Sequence, residues 1–210
     1  MNRDQFLDLG IDVSRETMER LDHLTALILK WTKSINLIAP NTADDIWTRH
    51  IKDSAQVYAV APKGWNNWID LGSGGGLPGL VVALLDSNGQ NVTLVESDKR
   101  KCLFLNTARR ELSLNVSVVN KRIEAADLAK ADILSARALA PLPKLLEYAN
   151  GLLSDDGVAL FSKGERFQQE VDDARIHWTF DLTEQPSWTN AGSSILKISR
   201  IQRREPKPQH

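Results

Sequence analysis

The 210-residue chain has one cysteine, Cys102, and two methionines. A lone thiol forms no internal disulfide and builds no zinc site by itself, so cross-links and metal are excluded as the basis of the fold and a reducing, cytoplasmic setting is expected. Long apolar runs are missing as well. Nothing approaches a membrane span, and the opening Met1-Asn2-Arg3-Asp4-Gln5 is not the start of a secretory signal, so no membrane association is expected. Charge of one sign is also lacking: 26 Lys and Arg face 27 Asp and Glu, a formal net charge of -1, without the global basicity common in nucleic-acid binders. Internal repeats are absent, and the only biased stretch is the polar, proline-containing tail from Arg203 to His210, expected to fray.

What is there is ordinary in bulk and uneven in distribution. Hydrophobic residues make up 42% and charged residues 25%, as in a soluble globular chain long enough to bury a core. Five of the twelve glycines fall in Asp70-Leu71-Gly72-Ser73-Gly74-Gly75-Gly76-Leu77-Pro78-Gly79. Glycines cluster where a backbone turns sharply and a ligand approaches without a Cβ in the way, and the helix that follows, with Pro78 in its first turn, offers N–H groups to that ligand. Seven basic residues against one acid between Lys99 and Arg122 form the other concentration. By itself such a cluster reads equally as a solvated helix face.

Residues 1 to about 60 read as helical, broken at Leu9-Gly10 and around Asn36 to Asn41. Ser14 is a good N-cap, and Met18, Leu21, Leu24, Ile28 and Trp31 form a stripe that covers a following sheet. Thr42 is expected to cap a second helix, on which Arg49 reaches Asp53 and His50 reaches Ser54 at i,i+4 spacing. From Trp65 onward strands are predicted at about Trp68 to Leu71, Val92 to Glu96, Val116 to Val119, Asp132 to Ala136 and Val158 to Ser162. Helices alternate with them near Gly79 to Leu85, Asp98 to Leu112, Glu124 to Leu128 and Pro143 to Leu152. Trp178 to Leu182 and Ser194 to Ile201 read as a terminal antiparallel hairpin with no clear helix before it. The fold class is therefore α/β: a Rossmann-like, mostly parallel sheet with helices on both faces. The expected organisation is a helical extension over 1–62, the main domain over 63–202 and a tail over 203–210, in one compact unit. Phe104, Leu105, Ala108 and Leu112 turn Lys99 and Arg110 outward, where an RNA could meet them.

The loop formally fits G-x-G-x-x-G, and Glu96 lies about twenty residues on, where an acid would bond ribose hydroxyls. An NAD-dependent oxidoreductase must therefore be weighed. Asp70 before the first glycine would repel a pyrophosphate but suits an ammonium and a sulfonium. No second glycine-rich loop or separate catalytic domain follows, so S-adenosylmethionine fits better. Cys102 sits inside a predicted helix, away from any nucleophile position, and Ser135-Ala136-Arg137-Ala138 stands where amine methyltransferases carry an Asn/Asp-Pro-Pro-aromatic stretch. What remains is an acceptor that is nucleophilic without losing a proton, such as N7 of guanine, served by alignment rather than a general base. Arg137 and Lys163, at the ends of the fourth and fifth strands, open on such a site, where they meet RNA phosphates or the cofactor's carboxylate, or else form salt bridges with Glu96, Asp70 or Glu124.

Asn36-Leu37, Arg49-His50-Ile51-Lys52-Asp53-Ser54, the loop Asp70 to Gly79, Arg122-Ile123-Glu124, Ser135 to Ala140 and Lys163-Gly164 together resemble the ribosomal RNA small subunit methyltransferase G (glucose-inhibited division protein B) family. The resemblance runs in order over roughly residues 30 to 165. It departs where family members often have Gly-Arg and this chain has Lys121-Arg122. It implies a class I methyltransferase fold, S-adenosylmethionine as cofactor, and methylation of N7 of one guanine in the 530 loop of bacterial 16S rRNA, with the rRNA or the small ribosomal subunit as partner. It also implies cofactor contacts at Gly72, Leu77, Ile123, Glu124 and Arg137, with Asp70, Gly74, Gly76 and Glu96 as further candidates. Arg49, His50 and Lys163 are expected to position the acceptor, and Lys99, Arg100 and Arg110 to bind RNA. A monomer is expected, and no metal. A non-catalytic RNA-binding module of the same fold is the other alternative.

Overall fold

In the computed structural model the described residues are 6–7, 10–86 and 88–205; part of the expected break at Leu9-Gly10 and the end of the tail lie outside them. Apolar runs punctuated by turn residues become strands β1 (Asn67–Leu71), β2 (Asn91–Val95), β3 (Val116–Val119), β4 (Ala131–Arg137) and β5 (Leu153–Lys163), all parallel. Strands β6 (Trp178–Pro186) and β7 (Ser194–Arg203) complete one sheet in the order β3-β2-β1-β4-β5-β7-β6, with β7 antiparallel to both of its neighbours. The chain works outward from β1 to β3 and restarts on the other side of β1 with β4. At such a switch point the carboxyl ends of the strands leave a crevice.

Strand side chains alternate between two cores. On one face Trp68, Leu80, Leu94, Phe104 and Leu105 pack with the N-terminal Leu21, Leu24 and Ile28. On the other, Ile69, Leu71, Val95, Leu134 and Phe161 pack with Leu145, Leu146, Val171 and Ala174. Burial on both faces is why the parallel strands read as nearly continuous apolar runs.

Helix α1 (Arg15–Thr32) starts as expected, with the Ser14 hydroxyl accepting the Thr17 N–H at 3.0 Å. Its stripe of Leu21, Leu24, Leu27 and Ile28 is buried in the first core. Burying each such side chain stabilises by about 1.5–3 kcal/mol, which ties α1 to that core.

Four expectations about elements change. Thr42 ends a short 3-10 turn (Pro40–Thr42) instead of capping a helix, and the next helix opens with a π segment, Trp47–Lys52, before α2 (Asp53–Val60). Pro78 stands just before α3 (Gly79–Leu85), and α4 (Lys99–Glu111) is capped by Asp98. Glu124 to Leu128 forms only the 3-10 turn Ile123–Ala125, because one turn of alanines and a single leucine lacks an apolar face to bury. After α5 (Leu142–Leu152) there is an additional helix, α6 (Phe167–His177), between β5 and β6. Only Val171 and Ala174 of α6 are fully buried, which is too sparse a signal for its sequence to stand out.

Candidate functional site

The loop between β1 and α3 does two jobs with its glycines. Gly72, Gly74 and Gly76 have φ of +61°, +56° and +76°, where a side chain is strained. A Cβ on Gly76 would lie 2.2 Å from Leu80 Cδ1, and one on Gly79 2.3 Å from Leu94 Cδ2. These two glycines let α3 press against the sheet, and neither borders a cavity. Gly72, Gly74 and Leu77 do border one. Gly75 also backs onto the N-terminal segment, its Cβ position 3.1 Å from the Leu37 carbonyl oxygen. The Leu77-Pro78 peptide bond is cis.

Two acids support this loop. Asp70 shares the face of β1 covered by α3, because alternation puts Ile69 and Leu71 on the other. Its carboxylate accepts the Ser135 hydroxyl at 2.7 Å and the Gly79 N–H at 3.3 Å, and Ser135 in turn accepts the Trp68 indole N–H at 2.8 Å. Burial pushes the Asp70 pKa up to about 6, against the pull of the hydrogen bonds from Ser135, Ser73 and Gly79 and the charge of Arg137. Asp70 and Gly76, expected as further cofactor candidates, lie beneath the loop and outside the lining of the cleft. Glu96 is buried too, with one oxygen on the Gly74 N–H at 2.9 Å and the other on the Asp98 N–H at 2.8 Å. It fastens the loop to the start of α4 and still borders the cleft.

The cleft has two lobes that share Gly72, Lys101 and Ala138. The first, about 670 Å³, is walled by residues 37–39, the π segment, the glycine loop, Arg137, Lys163 and the β6–β7 turn. The second, about 540 Å³, is walled by Glu96, Ile123, Glu124, Leu139 and Tyr148. Leu139 lies over Gly72, where a Cβ would come within 2.6 Å of its Cδ1. The Glu124 carboxylate accepts the Tyr148 hydroxyl at 2.5 Å, and chiefly this bond holds it below the usual carboxylate range.

Arg137, at the end of β4, gathers the first lobe. Its Nη1 donates to His50 Nδ1 at 3.0 Å, and its guanidinium lies 3.8 Å from Asp53. An arginine only donates, so His50 Nδ1 accepts and the ring proton sits on Nε2. That N–H meets the Thr42 hydroxyl at 2.7 Å, which passes its own proton to the Ala39 carbonyl at 2.7 Å. Burial first, then the charges of Arg137 and Arg49, lower the His50 pKa to about 4, so the ring is neutral at pH 7. Asp53 also accepts the Thr189 hydroxyl at 2.6 Å.

The side-chain pairs expected along the helix do not form. The π geometry shifts the register, Asp53 turns to Arg137 and Thr189, and the Ser54 hydroxyl bonds the His50 carbonyl at 2.7 Å. Arg49 borders the first lobe, its guanidinium without a side-chain partner among the described residues. Lys163 points inward at Glu170 and the Ala140 carbonyl, 2.9 Å away, and Glu170 also accepts the Leu142 N–H at 2.7 Å. Its ammonium holds the turn after β4 rather than standing free in the cleft. Glu96 and Glu124 thus stay in the second lobe, and neither pairs with Arg137 or Lys163.

Lys99, Arg100 and Arg110 are exposed on α4, away from its buried Cys102, Phe104, Leu105 and Ala108. Arg110 stands roughly 16 Å along the helix from Lys99, so the patch extends from the cleft along the flank. Arg100 pairs with its own cap, Asp98, at 3.3 Å. Cys102 is buried, as expected, with its thiol on the Glu96 carbonyl at 3.2 Å. Sequence reasoning missed Thr42, Lys101, Leu139 and the polar turn Ser187 to Ser194. That turn's run of hydroxyl and amide side chains was the one available signal. Among the described residues no cluster of His, Cys, Asp and Glu could hold a metal ion, and no helix is long and apolar enough to cross a membrane.

Comparison with known proteins points in one direction. Residues 17–198 match the family described as GidB, rRNA small subunit methyltransferase G. A ribosomal RNA small subunit methyltransferase G of Ruegeria sp. (strain TM1040) is 49% identical over 199 residues, covering 93% of this chain and 97% of that one. One from Rhizobium meliloti (strain 1021) is 46% identical over 202 residues, covering 93% and 94%. Among solved structures, a putative S-adenosyl-L-methionine-dependent methyltransferase from Methanococcus maripaludis superposes with a TM-score of 0.58 at 12% identity, covering 87% of this chain and 94% of that one. The ribosomal protein L11 methylase of Lactobacillus delbrueckii subsp. bulgaricus gives 0.56 at 18%, covering 70% and 78%. At such identities these two speak for the fold alone.

Proposed function

Because the chain belongs to the ribosomal RNA small subunit methyltransferase G family, we propose that it methylates N7 of one guanine in the 530 loop of bacterial 16S rRNA, with S-adenosylmethionine as donor. The observation that carries the choice of acceptor is the state of the acid–base groups in the first lobe. Both His50 nitrogens are engaged, Asp53 holds Thr189 and faces Arg137, and Glu170 is bound to Lys163 and the Leu142 N–H. Among the described residues of that lobe each of these groups is held by partners of its own, which suits an acceptor such as N7 of guanine that has no proton to lose. The chain's contribution is then alignment and electrostatics.

The residues present fit the donor. Gly72 and Gly74 leave open a floor that side chains would fill, Leu77 adds an apolar edge, and the floor joins the two lobes. Ile123, Glu124 and Glu96 suit an adenosine, an apolar face beside acceptors for hydroxyl and amine groups. Arg137 and Lys101 suit a carboxylate. When bound there, the donor supplies a methyl group made electrophilic by its sulfonium. Asp70 and Gly76 act from beneath by fixing the loop. Arg49 and His50 border the acceptor side, and Lys163 shapes it through the Ala140 turn. Lys99, Arg100 and Arg110 extend a cationic track for RNA phosphates. The core that α1 shares with one face of the sheet supports a single compact unit, 1–62 packed on 63–202. The free buried Cys102 supports a cytoplasmic setting.

Small-subunit RNA from cells lacking the protein should miss one N7-methylguanosine, restored by the purified protein with S-adenosylmethionine. RNA methylated equally in both cells would overturn the reading. Binding of the RNA without any transfer would make the protein a non-catalytic module.

A further inference from the structure

The turn between β6 and β7 is held more firmly than its surface position requires. The amide of the buried Gln56 grips its backbone from both sides, donating to the Pro186 carbonyl at 2.7 Å and accepting the Trp188 N–H at 2.9 Å. Asp53 accepts the Thr189 hydroxyl at 2.6 Å. Within the turn the Ser187 hydroxyl accepts the N–H groups of Thr189 and Asn190, each at 3.2 Å, and Asn190 donates to Ser193 at 2.7 Å. This fixed turn forms part of the wall of the first lobe.

On it stands Trp188, 40% exposed and the sole aromatic among the exposed large apolar side chains of the described residues. Other indoles are spent on packing: Trp31 on Phe104, and Trp65 on Trp68. Among the described residues the Trp188 ring has no aromatic or cation partner, and its indole N–H has no acceptor. A flat apolar surface on an immobilised backbone beside a ligand cleft pays little ordering cost when a flat partner lies on it. Ser187, Thr189 and Asn190, around Trp188 in the chain, line the first lobe together with Arg49, so Trp188 stands at the rim rather than in the lining. Among the described residues the Arg49 guanidinium has no side-chain partner. Together Trp188 and Arg49 present a stacking face and a phosphate anchor.

We propose that Trp188 stacks on a nucleobase next to the acceptor guanine while Arg49 takes a phosphate of the same strand, so that the pair seats the acceptor in the first lobe. This rests on the reading above that the acceptor is RNA. Aromatic stacking is sequence-tolerant, so the contact would hold the strand open and in place rather than read its sequence.

The test measures methyl transfer to deproteinised 16S rRNA and to small subunits, with equilibrium RNA binding and S-adenosylhomocysteine calorimetry alongside. Trp188→Ala and Trp188→Leu should each raise KM and Kd for the RNA roughly tenfold, more than they lower kcat. Trp188→Phe should return both to within about threefold, a range set by the retained ring. Homocysteine-nucleoside affinity and melting temperature should not move. An unchanged KM in Trp188→Ala, or equal rescue by Leu and Phe, would overturn stacking. A loss confined to assembled subunits would overturn it in favour of a protein contact. A wild-type protein that transfers no methyl group would defeat the functional reading, while the binding series would still decide the role of Trp188.

Discussion

The two halves of the cleft are built by opposite strategies. The glycine loop is largely local: within ten residues its backbone turns, packs and is pinned by Asp70, with Glu96 added from 22 positions beyond Gly74. The cluster around Arg137 is assembled from side chains that are far apart in the chain, with His50 and Arg137 separated by 87 positions and Asp53 and Thr189 by 136. A local device fails by losing its fold, a distributed one by losing its alignment. That difference separates the expected effects of mutations on the two sides.

The largest effect should come from the loop. Gly76→Ala combines a left-handed backbone with a Cβ 2.2 Å from Leu80, and Gly79→Ala places one 2.3 Å from Leu94. Strain and overpacking together should cost about 3 kcal/mol for Gly76→Ala and somewhat less for Gly79→Ala. Gly74→Ala meets nothing nearer than 3.7 Å and should cost only the backbone strain, about 1–2 kcal/mol. Denaturant unfolding would rank them, and equal costs would contradict the division of labour among these glycines. On the other side, Arg137→Ala should leave folding largely intact but cut methyl transfer about a hundredfold. It should also raise the His50 pKa from about 4, since the Arg137 charge is one of the causes holding it down. An NMR titration of His50 that stayed put would separate the two residues.

The two regions should also answer acid in opposite directions. His50 titrates near 6.5 when unfolded and about 4 when folded, so the unfolded chain takes the proton first and stability falls as pH drops through that window. Asp70 titrates near 3.8 when unfolded and about 6 when folded, so the folded chain takes the proton first and stability rises as pH drops between those values. The two contributions oppose each other from about pH 6 to 4. Asp70→Asn should therefore steepen the acid loss of stability relative to wild type, and His50→Gln should flatten it. Chemical unfolding across that range would show parallel curves if the residues did not titrate as described.

The smallest effect belongs to neither region. Replacing Lys99, Arg100 and Arg110 together by Gln should leave stability within about 0.5 kcal/mol per site and cofactor affinity unchanged. RNA binding should weaken, with a flatter dependence on salt. An equal loss of cofactor binding would mean that the patch belongs to the cleft.

Legibility follows the same line. The loop, the alternation of β1 to β5 and the cap at Ser14 could be read because their causes lie within a few residues. Helix α6 was hidden behind Gln168, Gln169, Asp172 and Asp173, which dilute its short buried stripe of Val171 and Ala174. Asp70 was visible as a residue but not as a strut, because its partner Ser135 arrives from β4. Capping and spacing put Arg49 and His50 on a helix of ordinary pitch. The π segment and the reach of Arg137 across the sheet, which decide their true partners, leave no periodic trace in the sequence.

The position of β7 sets the order in which the molecule can be completed. Strand β7 follows the other six in chain order, yet it lies not at the sheet's edge but between β5 and β6, and among the described strands it alone joins them. Until Ser194 to Arg203 has emerged, the edge of β5 stays unpaired, β6 has no sheet to join, and the Ser187 to Ser194 turn has no second leg. A ribosome making this protein therefore completes that wall of the cleft only once β7 has emerged, and a chain cut short before it has an open sheet edge of the kind that pairs with other chains.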